Sequence, residues 1–183
     1  TWGFMSVANS ASKWTKLSGM TDKDGNFMLF AGNGGDSKFT GTNKAKSLEG
    51  AGVFTFDMSP LKDYSNEGTK HRGTNNVDIH LKDTDGGDVM VFAYDATAFT
   101  LSLNGEVIHT FASADEAQKW TNVKAEINAD HTSADVTFTF TGVDEPVTKT
   151  IALTKTGNYN QIQINTTVWG AVGLDNLQLY VTK

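Results

Sequence analysis

Cysteine is absent from this 183-residue chain. Disulfides, thiolate metal sites and cysteine nucleophiles are therefore excluded. Arginine occurs once, at Arg72, and the formal net charge is -6. A reader of phosphate groups carries several arginine forks on a basic surface, so nucleic acid is excluded as a partner, and an anionic membrane surface with it. Proline occurs twice, at Pro60 and Pro146, both expected in turns. No apolar run reaches membrane-spanning length and no signal peptide is legible. The four histidines, His71, His80, His109 and His131, form no pair with zinc-ligand spacing.

What remains is a chain rich in period-two alternation, punctuated by 18 glycines. Strands are expected at 2–7, 26–31, 52–57, 76–82, 88–94, 98–103, 107–111, 122–127, 135–141, 148–153, 161–165 and 172–181. A dozen short strands with almost no helix predict an all-β, two-sheet antiparallel β-sandwich. The length suits one domain over residues 1–183, large enough to bury a core without staples. The start at Thr1-Trp-Gly-Phe, without Met, is expected of a module cut from a larger protein.

One hairpin is specified residue by residue. Asn104-Gly105 suits a type I′ turn, which needs positive φ at both central positions. The two-residue turn pairs Leu103 with Glu106, Ser102 with Val107 and Leu101 with Ile108. That register places His109 beside Thr100 and Ser102, away from the core. Ser113 followed by Glu116 is a capping box and predicts a short helix over 113–120.

Several stretches carry a resemblance. They are Val77-Asp-Ile-His-Leu-Lys-Asp83, Asp88-Val-Met-Val-Phe92, Thr100-Leu-Ser-Leu-Asn-Gly105, Trp120 through Asn128, Val136-Thr-Phe-Thr-Phe140 and Val172-Gly-Leu-Asp-Asn-Leu-Gln-Leu-Tyr180. Their order resembles the concanavalin/laminin-G-like jelly-roll carbohydrate-binding modules of bacterial polysaccharide-degrading enzymes. Galactose-binding-like jelly rolls end in a similar Asp-Asn-Leu strand. The resemblance implies a non-catalytic polysaccharide binder. Such a module is a monomeric part of a secreted or cell-surface bacterial enzyme, often with a structural calcium ion.

Sugar rings stack on exposed aromatic faces beside short polar side chains. Trp14, Tyr64, Tyr159 and Trp169 lie in polar, loop-like stretches and are the candidate rings, whereas Trp120 and Tyr180 read as core. The stretch 62–76 looks like a long loop, of a length often functional, and gathers Tyr64, His71 and Arg72. Arg72 suits a bidentate clamp on a uronate, a stack on Tyr64 or a salt bridge. A second surface follows from alternation. Asp78, His80 and Lys82 point away from Val77, Ile79 and Leu81, as Lys124 and Glu126 do from Val123 and Ile127. With Thr100, Ser102 and His109 these make a face of donors and acceptors, if the strands are neighbours.

Asp175 and Asn176 interrupt the apolar run of the last strand, so either backbone groups or a metal ion must satisfy that carboxylate. The resemblance favours calcium on Asp175, with Asp24, Asn26 or Asp36 from the early loops as a partner. Asp22-Lys-Asp24 and Asp83-Thr-Asp85-Gly-Gly-Asp88 suit calcium chemically, but Asp-Gly turns explain both. Catalysis has little support. There is no Glu-x-Asp-x-x-Glu strand, no Gly-x-Ser-x-Gly elbow and no phosphate loop. The expected function is therefore targeting of an appended glycan-degrading enzyme to a plant cell-wall-type polysaccharide. A lyase built on Tyr64, His71 and Arg72, or an adhesin, is the alternative.

Overall fold

The strands follow from alternation, and their order follows from where the apolar faces meet. The computed structural model describes residues 3–8, 27–32, 36–44, 46–61, 63–66, 69–72, 76–154, 157–167 and 170–182. In chain order the elements are β1 Gly3–Ala8, β2 Phe27–Gly32, β3 Ser37–Thr42, β4 Gly52–Pro60, β5 Asp63–Asn66, β6 Thr69–Arg72, β7 Val77–Asp83 and β8 Asp88–Asp95. Then come β9 Thr100–Leu103, β10 Glu106–Thr110, α1 Ala114–Ala117, β11 Thr121–Ile127, β12 Ser133–Phe140, β13 Val147–Ala152, β14 Tyr159–Thr166 and β15 Ala171–Val181.

Two antiparallel sheets form the sandwich among the described residues. One has seven strands in the order β1-β2-β15-β4-β11-β12-β13, and the other six in the order β10-β9-β8-β7-β14-β3. A separate two-stranded ribbon pairs β5 with β6. The inward rows of both sheets are apolar and meet in one cluster, because each strand has a single greasy face to hide. Phe54, Phe56, Phe92 and Phe138 sit at its centre, all fully buried. Phe92 lies 5.2 Å from Phe56 in an edge-on contact and 6.2 Å from Phe138.

Each strand expected from alternation is present. Pro60 is the last residue of β4 rather than a turn residue, at a strand end where proline is tolerated. The stretch 62–76 holds the β5–β6 ribbon rather than a structureless loop.

The Asn104-Gly105 turn has φ of 50° and 85°. Leu103 pairs with Glu106 and Ser102 with Val107, as expected, but a bulge follows and Leu101 pairs with His109. One inserted residue reverses which face the next side chain takes. His109 therefore turns inward and stacks on Phe140 at 4.3 Å. Helix α1 is a single turn. Its Glu116 N–H donates to the Ser113 hydroxyl at 3.2 Å, the capping contact foreseen.

Gly52 opens β4 where no side chain fits. A Cβ there would stand 2.3 Å from Leu48 Cδ1 and 2.7 Å from the Tyr180 carbonyl oxygen, and the latter is backbone. Gly52→Ala is expected to cost about 1–3 kcal/mol, the range for overpacking. A melting curve unchanged from the parent protein would contradict that packing.

Candidate functional site

Each sheet carries one outward polar face, and the two differ in how much of their polarity is already used. On the six-stranded sheet, β14, β7 and β8 bring Gln163, His80 and Val91 into one row and Asn165, Asp78 and Ala93 into the next. Gln163 donates to Asn165 Oδ1 at 3.0 Å, and the Asn165 amide donates to His80 Nε2 at 2.9 Å. That makes His80 Nδ1 the donor to Asp88 Oδ1, 3.0 Å away, which also accepts from Lys82.

His80 is 8% exposed and Gln163 6%. The network is closed on itself, so the expectation that His80 meets a ligand is corrected: both its nitrogens are spent within the sheet. Lys124 and Glu126 lie on the other sheet and do not join this face. Thr100 and Ser102 do join it, through β8.

Burial pushes the Asp78 carboxyl up, and His80 opposes that only in part. An acid whose folded value is raised destabilises the fold above that value. As pH falls, the folded carboxyl takes its proton first, and the penalty vanishes below the ordinary carboxylate range. Asp78→Asn is thus expected to raise the melting temperature at neutral pH, with the gain shrinking toward zero in acid. A loss of stability at neutral pH would contradict it.

Asp88 behaves oppositely. Burial acts to raise it, but hydrogen bonds and charge from Lys82 and His80 outweigh that and hold it low.

The outward face of the seven-stranded sheet is open. Its rows follow from the pairing of β15, β4, β11, β12 and β13. Asp175 aligns with Asp57, Asn122 and Thr139. Gln178 aligns with Thr55, Lys124, Thr137 and Thr148, and Tyr180 with Val53, Glu126, Asp135 and Thr150. At about 4.8 Å per inter-strand step, the first row is roughly 14 Å long and the other two roughly 19 Å.

Tyr180 is 44% exposed. Among the tryptophan and tyrosine residues whose exposure is described, it alone is exposed, since Tyr94, Trp120 and Tyr159 are buried. The expectation that Tyr180 is core is corrected, and the cause is a bulge. Leu174 and Leu177 stand three apart and cannot share a face of a regular strand. The register slips between Asp175 and Gln178, and Asn176 takes a φ of 50°. Leu174, Leu177 and Leu179 then all meet the core, while Asp175, Gln178 and Tyr180 turn outward. Asparagine tolerates that left-handed backbone better than most residues.

The polar groups around Tyr180 are fixed but reachable. Asp57 accepts amide N–H bonds from Asn122 and Asn176, both at 2.7 Å. Lys124 is paired with the exposed Glu126 at 2.8 Å, which holds the ammonium above the usual lysine range. Thr150 donates to Asp135 at 2.6 Å. Two carboxylate pairs, Asp57 with Asp175 and Glu126 with Asp135, are direct cross-strand partners. Like charges in that position cost stability, so a plain solvated face has no reason to keep two of them.

The other expected site residues fall as follows. Tyr159 is 0% exposed and its ring stacks on His131 at 4.4 Å. Burial, then the Asp83 carboxylate, pushes its phenol up to about 12. Its proposed stacking on a sugar is corrected, because no face of the ring is free. His109 does not lie on the wet face as expected: it is half-buried, stacked on Phe140 at 4.3 Å and edge-on to Phe111 at 4.7 Å. Tyr64 stands opposite His71, and Asp63 opposite Arg72, in the backbone register of the β5–β6 ribbon. Trp14, Trp169 and Asp24 lie outside the described residues.

Asp175 is half-buried rather than buried, and its Oδ1 accepts the Asn176 backbone N–H at 2.8 Å. No cluster of three or more acidic, histidine or cysteine side chains able to hold a metal occurs among the described residues. The 83–88 segment is a turn: Asp83 Oδ1 accepts from Asp85 and Gly87 N–H, and Gly86 has a φ of 83°.

No protein-family model and no curated protein matches the chain. Solved structures do. A GH131 β-glucanase catalytic domain from Podospora anserina is similar at a TM-score of 0.58 and 10% identity, over 98% of this chain and 80% of that one. The lectin UEA-II complexed with galactose is similar at a TM-score of 0.45 and 8% identity, over 87% and 83%. A protein of unknown function with a galectin-like fold from Bacillus subtilis follows at 0.42 and 12%, over 97% and 88%. At these identities the first likeness is one of fold, and the weaker two add nothing to it.

Proposed function

We propose that this chain is a non-catalytic carbohydrate-binding module. It holds a plant cell-wall-type polysaccharide on the outward face of its seven-stranded sheet. In a secreted or cell-surface bacterial protein it keeps an appended glycan-degrading enzyme at its substrate, raising the local concentration of catalyst.

The observation that carries this reading is the exposed Tyr180 ring in register with three rows of hydroxyl, amide and carboxylate groups. A pyranose lying on the ring presents its hydroxyls to Gln178 and Asn176 on one side. The Lys124–Glu126 pair and the threonines of β12 and β13 take those further along. Trp14, Tyr64, His71, Arg72 and Trp169 are proposed to extend the contact. Affinity electrophoresis over xylans, β-glucans, mannans and pectins tests the reading: retardation by at least one polymer is expected, and free migration on every gel contradicts it.

A catalytic reading is favoured by the Asp57–Asp175 pairing, because glycoside hydrolysis uses two facing carboxyls. Release of reducing ends, or ultraviolet absorbance from unsaturated uronides for the lyase alternative, would replace the binding reading with a catalytic one.

A further inference from the structure

We infer that a second ligand site lies between the two sheets, behind the Tyr180 face, and that it takes a small carboxylate with an apolar body. The strand pairing leaves room for it. β2 stays beside β15 only over Ala171–Leu174. Past the bulge, from Gln178 to Val181, β4 is the one described strand beside β15. In the facing sheet β3 is the last strand and pairs with β14 alone. A cavity of about 520 Å³ opens there, within the size range of pockets that enclose small molecules.

Its apolar walls are Phe39 of β3, Ile162 of β14, and Leu177 and Leu179 of β15. All four pack against the core, yet all four are only half-buried. Protein interiors hold few voids larger than a water molecule. Inward apolar side chains left part-open on both sheets mark a place where the body of a ligand completes the packing.

The polar groups of the wall centre on the turn after β3, from Asn43 to Ser47, with Asn160 tied to it. The Asn160 side-chain amide donates to the Asn43 carbonyl oxygen at 3.1 Å, and the Asn43 N–H donates to the Asn160 carbonyl oxygen at 3.0 Å. The Lys46 backbone N–H donates to Asn43 Oδ1 at 3.1 Å, which holds Lys46 at this edge. Lys46 is exposed, is the one charged residue on the described wall, and has no ion-pair partner among the described residues. Residues 37–48 carry Lys38, Lys44 and Lys46 and no acid, in a chain of net charge -6. That local excess of positive charge complements a carboxylate at the rim and opposes an ammonium.

The test uses one apolar body with three heads. 2-Naphthoate, 2-naphthalenemethanol and 2-naphthylmethylammonium are each titrated into the protein and followed by nuclear magnetic resonance. 2-Naphthoate is expected to shift the methyl resonances of Ile162, Leu177 and Leu179. It is expected to bind about threefold more tightly than the alcohol, the modest preference that one exposed lysine gives. K46Q is expected to remove that preference and to leave the affinity for the alcohol unchanged. L177W, which fills the cavity, is expected to abolish binding of both.

Absence of these methyl shifts in the parent protein, or shifts confined to other residues, overturns the site whether or not L177W folds. Binding retained by a folded L177W overturns it too. An alcohol or ammonium that binds as tightly as naphthoate, or a preference that survives K46Q, overturns the assignment of the carboxylate to Lys46. Polysaccharide binding at Tyr180 stands or falls separately.

Discussion

Replacing Phe92 with alanine is expected to lower stability by about 3–5 kcal/mol, the range for deleting a buried phenylalanine. For a domain of this size that is a fall in melting temperature of roughly 6–20 °C. Phe92 is fully buried and touches Phe54, Phe56 and Phe138, so it joins rings from both sheets. Those partners come from β4 and β12 of one sheet, whereas Phe92 comes from β8 of the other. No short polar side chain can take its place, and the surrounding rings are too large to collapse fully into the gap. Urea denaturation of the variant measures the loss directly. A loss under about 1 kcal/mol would mean that the sheets do not meet where the structure puts them.

The second large effect is on binding and leaves the fold alone. Tyr180→Ala is expected to weaken polysaccharide affinity by about 2 kcal/mol, roughly thirtyfold, as truncation of an aromatic anchor does. Stability should fall by less, about 1 kcal/mol, because Tyr180 is 44% exposed and only about half of it is buried on folding. The separation of the two effects is the informative part. A variant that loses affinity and melting temperature together would make Tyr180 a packing residue. A variant that keeps full affinity would move the site elsewhere, with the β5–β6 ribbon as the next place to look. Tyr180→Phe should retain most of the affinity if the ring face carries the contact.

The sandwich itself was legible in the alternation of the strands, because most of them hide one face and wet the other. Three strands escaped for a physical reason. Residues 63–66 and 69–72 have almost no apolar member, so their pairing leaves no periodic mark. β3 faces inward with Phe39 and Gly41, and a glycine contributes no hydrophobic signal.

The site was harder to read because two bulges reverse the faces of the residues after them. His109 moved from the wet side to a half-buried place against Phe140, and Tyr180 moved from the expected core to the surface. The spacing Leu174-x-x-Leu177-x-Leu179 does encode the second bulge, since three and then two residues separate positions that must all turn inward. No comparable mark flags the first, where Val107, Ile108 and His109 allow either face to be apolar. His80 was placed on its correct face, but its partners come from β8 and β14, and a closed network of that range cannot be read from one strand.

The most direct measurement is a nuclear magnetic resonance titration of the protein with a neutral oligosaccharide from the polymer that binds best. Backbone amide shifts are expected to concentrate on Asn176, Gln178 and Tyr180 of β15 and on Thr55, Lys124 and Glu126 beside them. Shifts confined to the six-stranded sheet around His80 and Gln163, with β15 silent, would contradict the placement of the ligand on the seven-stranded face.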